Sequence, residues 1–287
     1  MSLAGVSPLD DVASRHPEWH VWLALYREAR AACDEAAWRE AAAVTPHEAA
    51  GAPLIAGAVL TVDPGRARPV VRALMERAFT LDGAALDGAT AVRVLEAAVN
   101  DDRPALSALA EGLRLAPALF AEVAALAAMP LLQAYRQAWS ARAPSEWLEA
   151  ACPLCGAWAA LAEARGLERA LRLRCGRCGA DWAALPVRCA FCGTAEHDKL
   201  GALVSERGAD LRRVETCSVC LGYMKTVTTL QACAPADVRL LDVDTVELDV
   251  AALEHGFARP ARAPRRLDVR LVARARRGLA GLFARGR

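Results

Sequence analysis

The sequence predicts a helical protein with small β additions: an all-α N-terminal domain, two tandem four-cysteine modules and a C-terminal helix. Three observations predict it. Hydrophobic residues make up 55% of the 287, much of that is alanine, and aromatics are only 5%; Ala has the highest helix propensity. Apolar residues in the first half recur at three- and four-residue spacing, the period of a helix face. Eight of the ten cysteines fall into four C-x-x-C pairs between Cys152 and Cys220.

The first helix carries Trp19, Trp22, Leu23, Tyr26, Ala29, Cys33 and Ala37 on one face. Val71, Leu74 and Ala78 repeat that stripe, as do Leu106, Leu109 and Leu113, then Leu119, Val123 and Leu126. Pro130 suits the first turn of a further helix bearing Leu131, Leu132, Tyr135 and Trp139. Breaks are expected at Thr61–Gly65, Asp82–Gly88 and Asn100–Pro104, where Gly, Pro, Asn and Asp gather. His47-Glu48 lacks the second His of a zinc protease, because position 51 is Gly. From Ser140–Pro144 onward the segments shorten. Leu171 and Leu173 alternate with arginines, Met224–Thr228 is rich in strand formers, and Gly208-Ala209-Asp210 reads as a hairpin turn. Val238–His255, with Asp242, Asp244, Glu247 and Asp249, reads as a helix, although its valines also allow a strand.

The expected divisions are a helical domain at 1–148, Cys₄ modules at 149–186 and 187–232, an acidic helix at 233–258 and an arginine-rich tail at 259–287. The tail holds ten arginines and one acid, Asp268. Leu267, Leu271, Ala275, Leu279 and Leu282 would line one side of a helix there. It reads first as a solvated appendage; contact with an anionic membrane surface or an acidic partner is the alternative.

A net charge of +1 gives the chain as a whole no electrostatic case for nucleic acid. Only Lys199 and Lys225 stand against 33 arginines, a skew that reads as coding bias. The N-terminal residues show neither a basic nor an apolar signal region, so a cytoplasmic location is expected. The apolar stretch Ala116–Ala134 contains Glu122 and is interrupted by Pro117 and Pro130, which favours two buried helices over a membrane span. Clustered cysteines in that compartment point to metal or catalysis before disulfides.

Two C-x-x-C turns supply the four thiolates of a tetrahedral Zn²⁺ or rubredoxin-type iron site. Gly156, Gly179 and Gly193 follow the second Cys of three pairs and readily take positive φ; the fourth pair has Leu221 before Gly222, a looser turn. Nineteen residues separate Cys155 from Cys175 and twenty-four separate Cys192 from Cys217, both fitting a two-knuckle ribbon. The simplest partition puts Cys152, Cys155, Cys175 and Cys178 around one ion and Cys189, Cys192, Cys217 and Cys220 around another. An interleaved pairing is the alternative. Cys33 and Cys233 read as packed thiols, and His197 as a substitute ligand only if a cysteine fails. No nucleophile–base constellation argues for an enzyme.

With those residues in view, the second half resembles the formate dehydrogenase accessory protein family FdhE. The resemblance rests on Cys152-Pro153-Leu154-Cys155-Gly156, on "RALRLRCGRCGADWAALPVRCAFCG" with Trp182, on "CSVCLGYMK" with Tyr223 and Lys225, and on "DVDTVELDVAALEHGF" with Asp242, Thr245, Asp249 and Gly256. It is specific over Cys152–Phe257 and upstream is limited to helical character and a Pro53-Leu54 element. It implies a non-enzymatic, cytoplasmic maturation factor with two rubredoxin-like modules and iron as the metal, zinc being the alternative. Such a factor binds the catalytic subunit of a molybdenum or tungsten formate dehydrogenase before export. Trp182, Tyr223 and Lys225 then read as a partner-binding surface beside the knuckles, or else as a cover for the metal sites. A rubredoxin-like electron carrier and a zinc-ribbon nucleic-acid binder are the competing functions.

Overall fold

The computed structural model describes residues 7–43, 46, 49, 51–80, 86–204, 211–261 and 264–274. His47-Glu48, residues 82–85, the turn at Gly208–Asp210, the side chain of Ala37 and the tail positions Ala275, Leu279 and Leu282 lie outside that description.

Among the described residues the first half holds eight helices: α1 (Pro8–Arg15), α2 (His20–Ala32), α3 (Ala36–Ala41), α4 (Pro64–Ala78), α5 (Gly88–Asn100), α6 (Arg103–Gly112), α7 (Pro117–Ala127) and α8 (Met129–Trp139), with the short strand β1 (Val59–Val62) between α3 and α4. Their starts are written in the sequence. The side chains of Asp63, Asp87 and Asp102 accept the backbone N–H groups of Gly65, Thr90 and Ala105 at 2.8, 2.7 and 3.0 Å, which satisfies donors a helix start leaves free. These caps sit in the three expected breaks. Leu23, Tyr26 and Ala29 of α2, Leu74 of α4 and Val123 and Leu126 of α7 are buried as their spacing requires. The run Pro117–Arg142 is apolar and long enough to cross a membrane, but 78% of its most apolar window is buried inside the protein.

Six strands form one sheet: β2 (Leu161–Arg165), β3 (Ala170–Arg174), β4 (Asp181–Ala183), β5 (Leu200–Val204), β6 (Arg212–Cys217) and β7 (Tyr223–Thr229). Their order is β4-β3-β2-β7-β6-β5. Each module supplies an antiparallel meander of three. The modules join where β7 runs parallel to β2, with Ala162 opposite Thr226 and Arg165 opposite Thr229. The first strand of the first module thus takes the last strand of the second as its neighbour. Arg172 and Arg174, which alternate with Leu171 and Leu173, join an ion-pair cluster. Arg174 meets the fully buried Glu163 at 2.7 Å; Arg165 bridges Glu163 and Asp181, and Arg172 also pairs with Asp181.

The closing acidic segment is helical, but in two pieces: α9 (Val238–Val243) and α10 (Val246–Glu254), broken at Asp244-Thr245. They cover the second module, with Leu248 and Ala252 packed on Val214 and Tyr223.

The tail corrects an expectation. Within its described part it is neither helix nor appendage: Arg270–Ala273 form β8, pairing in parallel with β1 (Val59–Val62). Leu267, Val269 and Leu271 are buried. Leu271 is buried from within β8, while Leu267 and Val269 precede the strand in irregular chain, where Asp268 turns at φ 52°. The side chain of Asn100, at the end of α5, donates to the Val269 carbonyl at 2.8 Å and accepts its N–H at 2.9 Å. Leu271→Ala should therefore cost about 2–5 kcal/mol, and deleting 259–287 should lower the melting temperature sharply; a truncated chain as stable as the full one in thermal denaturation would contradict this packing.

Candidate metal centres

Three of the four knuckles close in the same way. The N–H groups of Gly156, Gly179 and Gly193 donate to the carbonyls of Cys152, Cys175 and Cys189, each at 2.9 Å. The three glycines have φ of 70°, 75° and 77°, conformations open to Gly at little cost. In the fourth turn Leu221 takes the left-handed position itself, at φ 54°. Leu221 thus holds, with a side chain, the position that glycine holds in the other three turns.

The sulfurs gather into two quartets with the simplest partition: Cys152, Cys155, Cys175 and Cys178, and Cys189, Cys192, Cys217 and Cys220, each set lying within 4.8 Å. Closest approaches are Cys155–Cys175 at 3.4 Å and Cys152–Cys178 at 3.6 Å, then Cys189–Cys220 at 3.6 Å and Cys192–Cys217 at 3.7 Å. A tetrahedral ion with metal–sulfur bonds of ~2.3 Å sets its ligands ~3.8 Å apart, so either quartet could hold one ion with little movement. His197 belongs to neither quartet.

The chemistry of the first quartet fits a cation. Its cysteines are 0, 2, 0 and 1% exposed, and burial pushes the Cys152 and Cys178 thiols well up when no ion is present. Thiolates there need a compensating charge, and a bound ion supplies it. Arg136 lies near enough to Cys178 to interact with its charge, and its buried Nε has no hydrogen-bond partner.

The second quartet is different: Cys189 and Cys217 are buried while Cys192 and Cys220 are exposed. Burial raises Cys192, but the Thr194 hydroxyl and backbone, with Cys189 and Cys220, together hold it down to about 6. Burial pushes Cys220 up to about 12. Val219 and Leu221, each 55% exposed, flank Cys220.

The first quartet is a junction of the whole chain. Leu54 and Ile55 donate their N–H groups to the carbonyls of Pro153 and Leu154 at 2.9 and 3.0 Å, which gives the Pro53-Leu54 element its place. A Cβ on Gly156 would meet Leu267 at 2.7 Å and Pro53 at 3.1 Å. Gly179 lies as closely against Pro235. The N-terminal domain, the closing segment and the tail all touch these knuckles.

Trp182, Tyr223 and Lys225 are not a displayed surface. They are 5, 4 and 0% exposed, which corrects the reading of them as partner-binding residues. The Trp182 indole donates to the Glu149 carbonyl at 2.9 Å. The Tyr223 hydroxyl donates to Asp249 at 2.6 Å. Lys225 pairs with Asp242 and Asp249, both at 2.7 Å, and Arg259 adds a second cation to the same carboxylates. Buried strand and acidic helix are thereby locked together. Spacing could not have revealed this, because the acids lie in a later segment. Cys33 donates to the Ala29 carbonyl within its helix, and Cys233 offers its N–H to Glu163.

The quartets should lose metal in order. A chelator added to the metal-loaded full chain should release the ion of the second quartet at least tenfold faster, and alkylation should mark Cys192 and Cys220 first. Cys152→Ser should leave one ion and disorder the first module, as structural Cys₄ ions contribute roughly 10 kcal/mol or more to folding. Metal analysis with mass mapping of modified thiols checks both, and equal release rates would contradict the burial difference.

No protein-family model matches the chain. It is 32% identical over 119 residues to the Protein FdhE homolog of Aquifex aeolicus (strain VF5), a match spanning 40% of this chain and 41% of that protein. The fold is similar to that of the FdhE protein from Pseudomonas aeruginosa, whose crystal structure superposes with a TM-score of 0.57 at 22% identity. That superposition covers 91% of this chain and 93% of the other. The helical first half, the tandem modules and the closing segment are therefore a shared architecture.

Proposed function

We propose that the chain is a formate dehydrogenase maturation factor of the FdhE family. The observation that carries this is two cysteine quartets fused through one sheet and set on a helical domain, in a fold similar to that of an FdhE protein along nearly the whole chain. In this reading the protein is not an enzyme. It works in the cytoplasm and binds the catalytic subunit of a molybdenum or tungsten formate dehydrogenase before that subunit is exported. Residues 1–148 form the helical body, and 149–186 and 187–232 the metal modules.

Cys152, Cys155, Cys175 and Cys178 hold one ion, and Cys189, Cys192, Cys217 and Cys220 the other. Iron fits a rubredoxin-like pair of sites and zinc a structural pair, because four thiolates suit both. A thiolate-bound iron would supply one-electron chemistry; the chain's part is to keep the first site dry and leave the second open. The exposure of Cys192 and Cys220 favours a second reading, in which the second site passes electrons to or from the bound subunit.

Tagged protein from cells making formate dehydrogenase should capture the catalytic subunit, and cells lacking the gene should lose formate dehydrogenase activity. Serine at both Cys189 and Cys192 should abolish capture while leaving one ion bound. Visible absorbance of the purified chain identifies iron, since Zn²⁺ is d¹⁰ and colourless. Normal activity in cells lacking the gene would overturn the assignment.

A further inference from the structure

The two modules repeat the same order: knuckle, strand, strand, knuckle, strand. In that correspondence β5 is the counterpart of β2, and β7 the counterpart of β4. The outer edge of β2 is taken by β7, running parallel. The equivalent edge of β5 is the end of the sheet.

Among the described residues that edge is open, and β5 itself is uncharged. Cys217 gives its N–H to Gly222 on the β7 side, and Ser218 gives its N–H to Lys199. With Leu200 opposite Cys217 and Ala202 opposite Glu215, the alternation of an antiparallel ladder turns the backbone groups of Leu200, Ala202 and Val204 outward. Among the described residues nothing pairs with them. Gly201, Ala202 and Val204 are exposed, Val204 by 57%. Sheet edges are usually guarded by charge, proline, a bulge or a covering segment, and Leu200–Val204 contains no charged residue or proline.

Beside the edge lies a cavity of about 330 Å³ that reaches the second quartet at Cys189 and Cys217. Its apolar wall is Leu171, Val187, Phe191, Leu200, Ala202 and Met224. Its charges are unbalanced: Arg213 is paired with Glu215, while Arg169 and Arg188, also in the wall, have no carboxylate partner among the described residues.

We propose that β5 is a strand-addition site for an extended segment of the client polypeptide. The segment would run parallel to β5 as β7 runs along β2, with alternate apolar side chains entering the cavity and a carboxylate meeting Arg169 or Arg188. Backbone hydrogen bonds would give the affinity and the cavity the selectivity. That the partner is a client rests on the maturation reading above. A second copy fits the position poorly. Of its two free edges, β4 is three residues long, with Asp181 held by Arg165 and Arg172 and Trp182 turned inward, and β5 against its own copy would run antiparallel, unlike β7 on β2.

Ala202→Pro is the discriminating variant. It removes an outward N–H that the sheet does not use, and proline is tolerated on such an edge. Two probes of the full metal-loaded chain separate this proposal from the maturation reading. The first is a labelled peptide of the chain's own β7 sequence, YMKTVTT, extended by one glutamate. It should bind saturably and slow amide exchange at Ala202 and Val204, with binding at least tenfold weaker to Ala202→Pro and unchanged to Ala202→Ser. The second is capture of the formate dehydrogenase catalytic subunit, which should fall at least tenfold in Ala202→Pro with both ions and the helical circular dichroism retained. If Ala202→Pro loses its metal, Val204→Lys takes its place in both assays.

Absence of peptide binding, or equal binding to Ala202→Pro, overturns the strand-addition site. So does undiminished capture of the subunit by Ala202→Pro, or a dimer that Ala202→Pro dissolves while capture persists. Peptide binding at β5 without subunit capture by the unmodified chain would support the site and count against the maturation reading.

Discussion

Four buried thiols at Cys152, Cys155, Cys175 and Cys178 are the constraint on which the rest of the structure depends. Thiolates without water must be balanced by an ion, and every segment near them is arranged to keep water out. Leu54 and Ile55 bond to the first knuckle's carbonyls, Leu267 and Pro53 press on Gly156, and Pro235 covers Gly179. Residues far apart in sequence are thus drawn to one point. The helical first half and the first module also share a single apolar core.

The second module is built from the same parts and put to a different purpose. The Cys189 knuckle reproduces the hydrogen bonding of the first module and the Cys217 knuckle keeps part of it, yet two of the four cysteines face solvent. The parallel pairing of β7 with β2 fastens it to the buried module, so an accessible site stands on a rigid base. The clamp of Lys225, Arg259, Asp242 and Asp249 secures the other face by holding α10 over Val214. Buried ion pairs of this kind contribute little net stability but penalise any arrangement that separates them.

Much of this was legible in the chain because it is local. Aspartates at three breaks capped three helices, three-and-four spacing marked the buried faces, and C-x-x-C with a following glycine defined the knuckles and their partition. What spacing could not show was long-range. Trp182, Tyr223 and Lys225 look like a displayed group until Glu149, Asp249 and Asp242 are brought to them by the fold. The tail's arginines drew attention from the buried Leu267, Val269 and Leu271, and the partner strand that fixes β8 lies at Val59–Val62. At the break between α9 and α10 the backbone and carboxylate of Asp244 accept from Arg212, a contact that only the fold supplies.

The pairing of β1 with β8 has a consequence for how the protein is made. Asn100 and Val269, which bond to each other, are 169 positions apart. During synthesis the ribosome delivers the helices, then both sets of thiols, and only later the strand that seals them. The 89 positions from Cys178 to Leu267 take roughly 4–18 seconds at ~5–20 residues per second, and over that time the nascent chain holds its first quartet without Leu267 upon it. An ion entering that quartet would have its easiest access then, before β8 arrives.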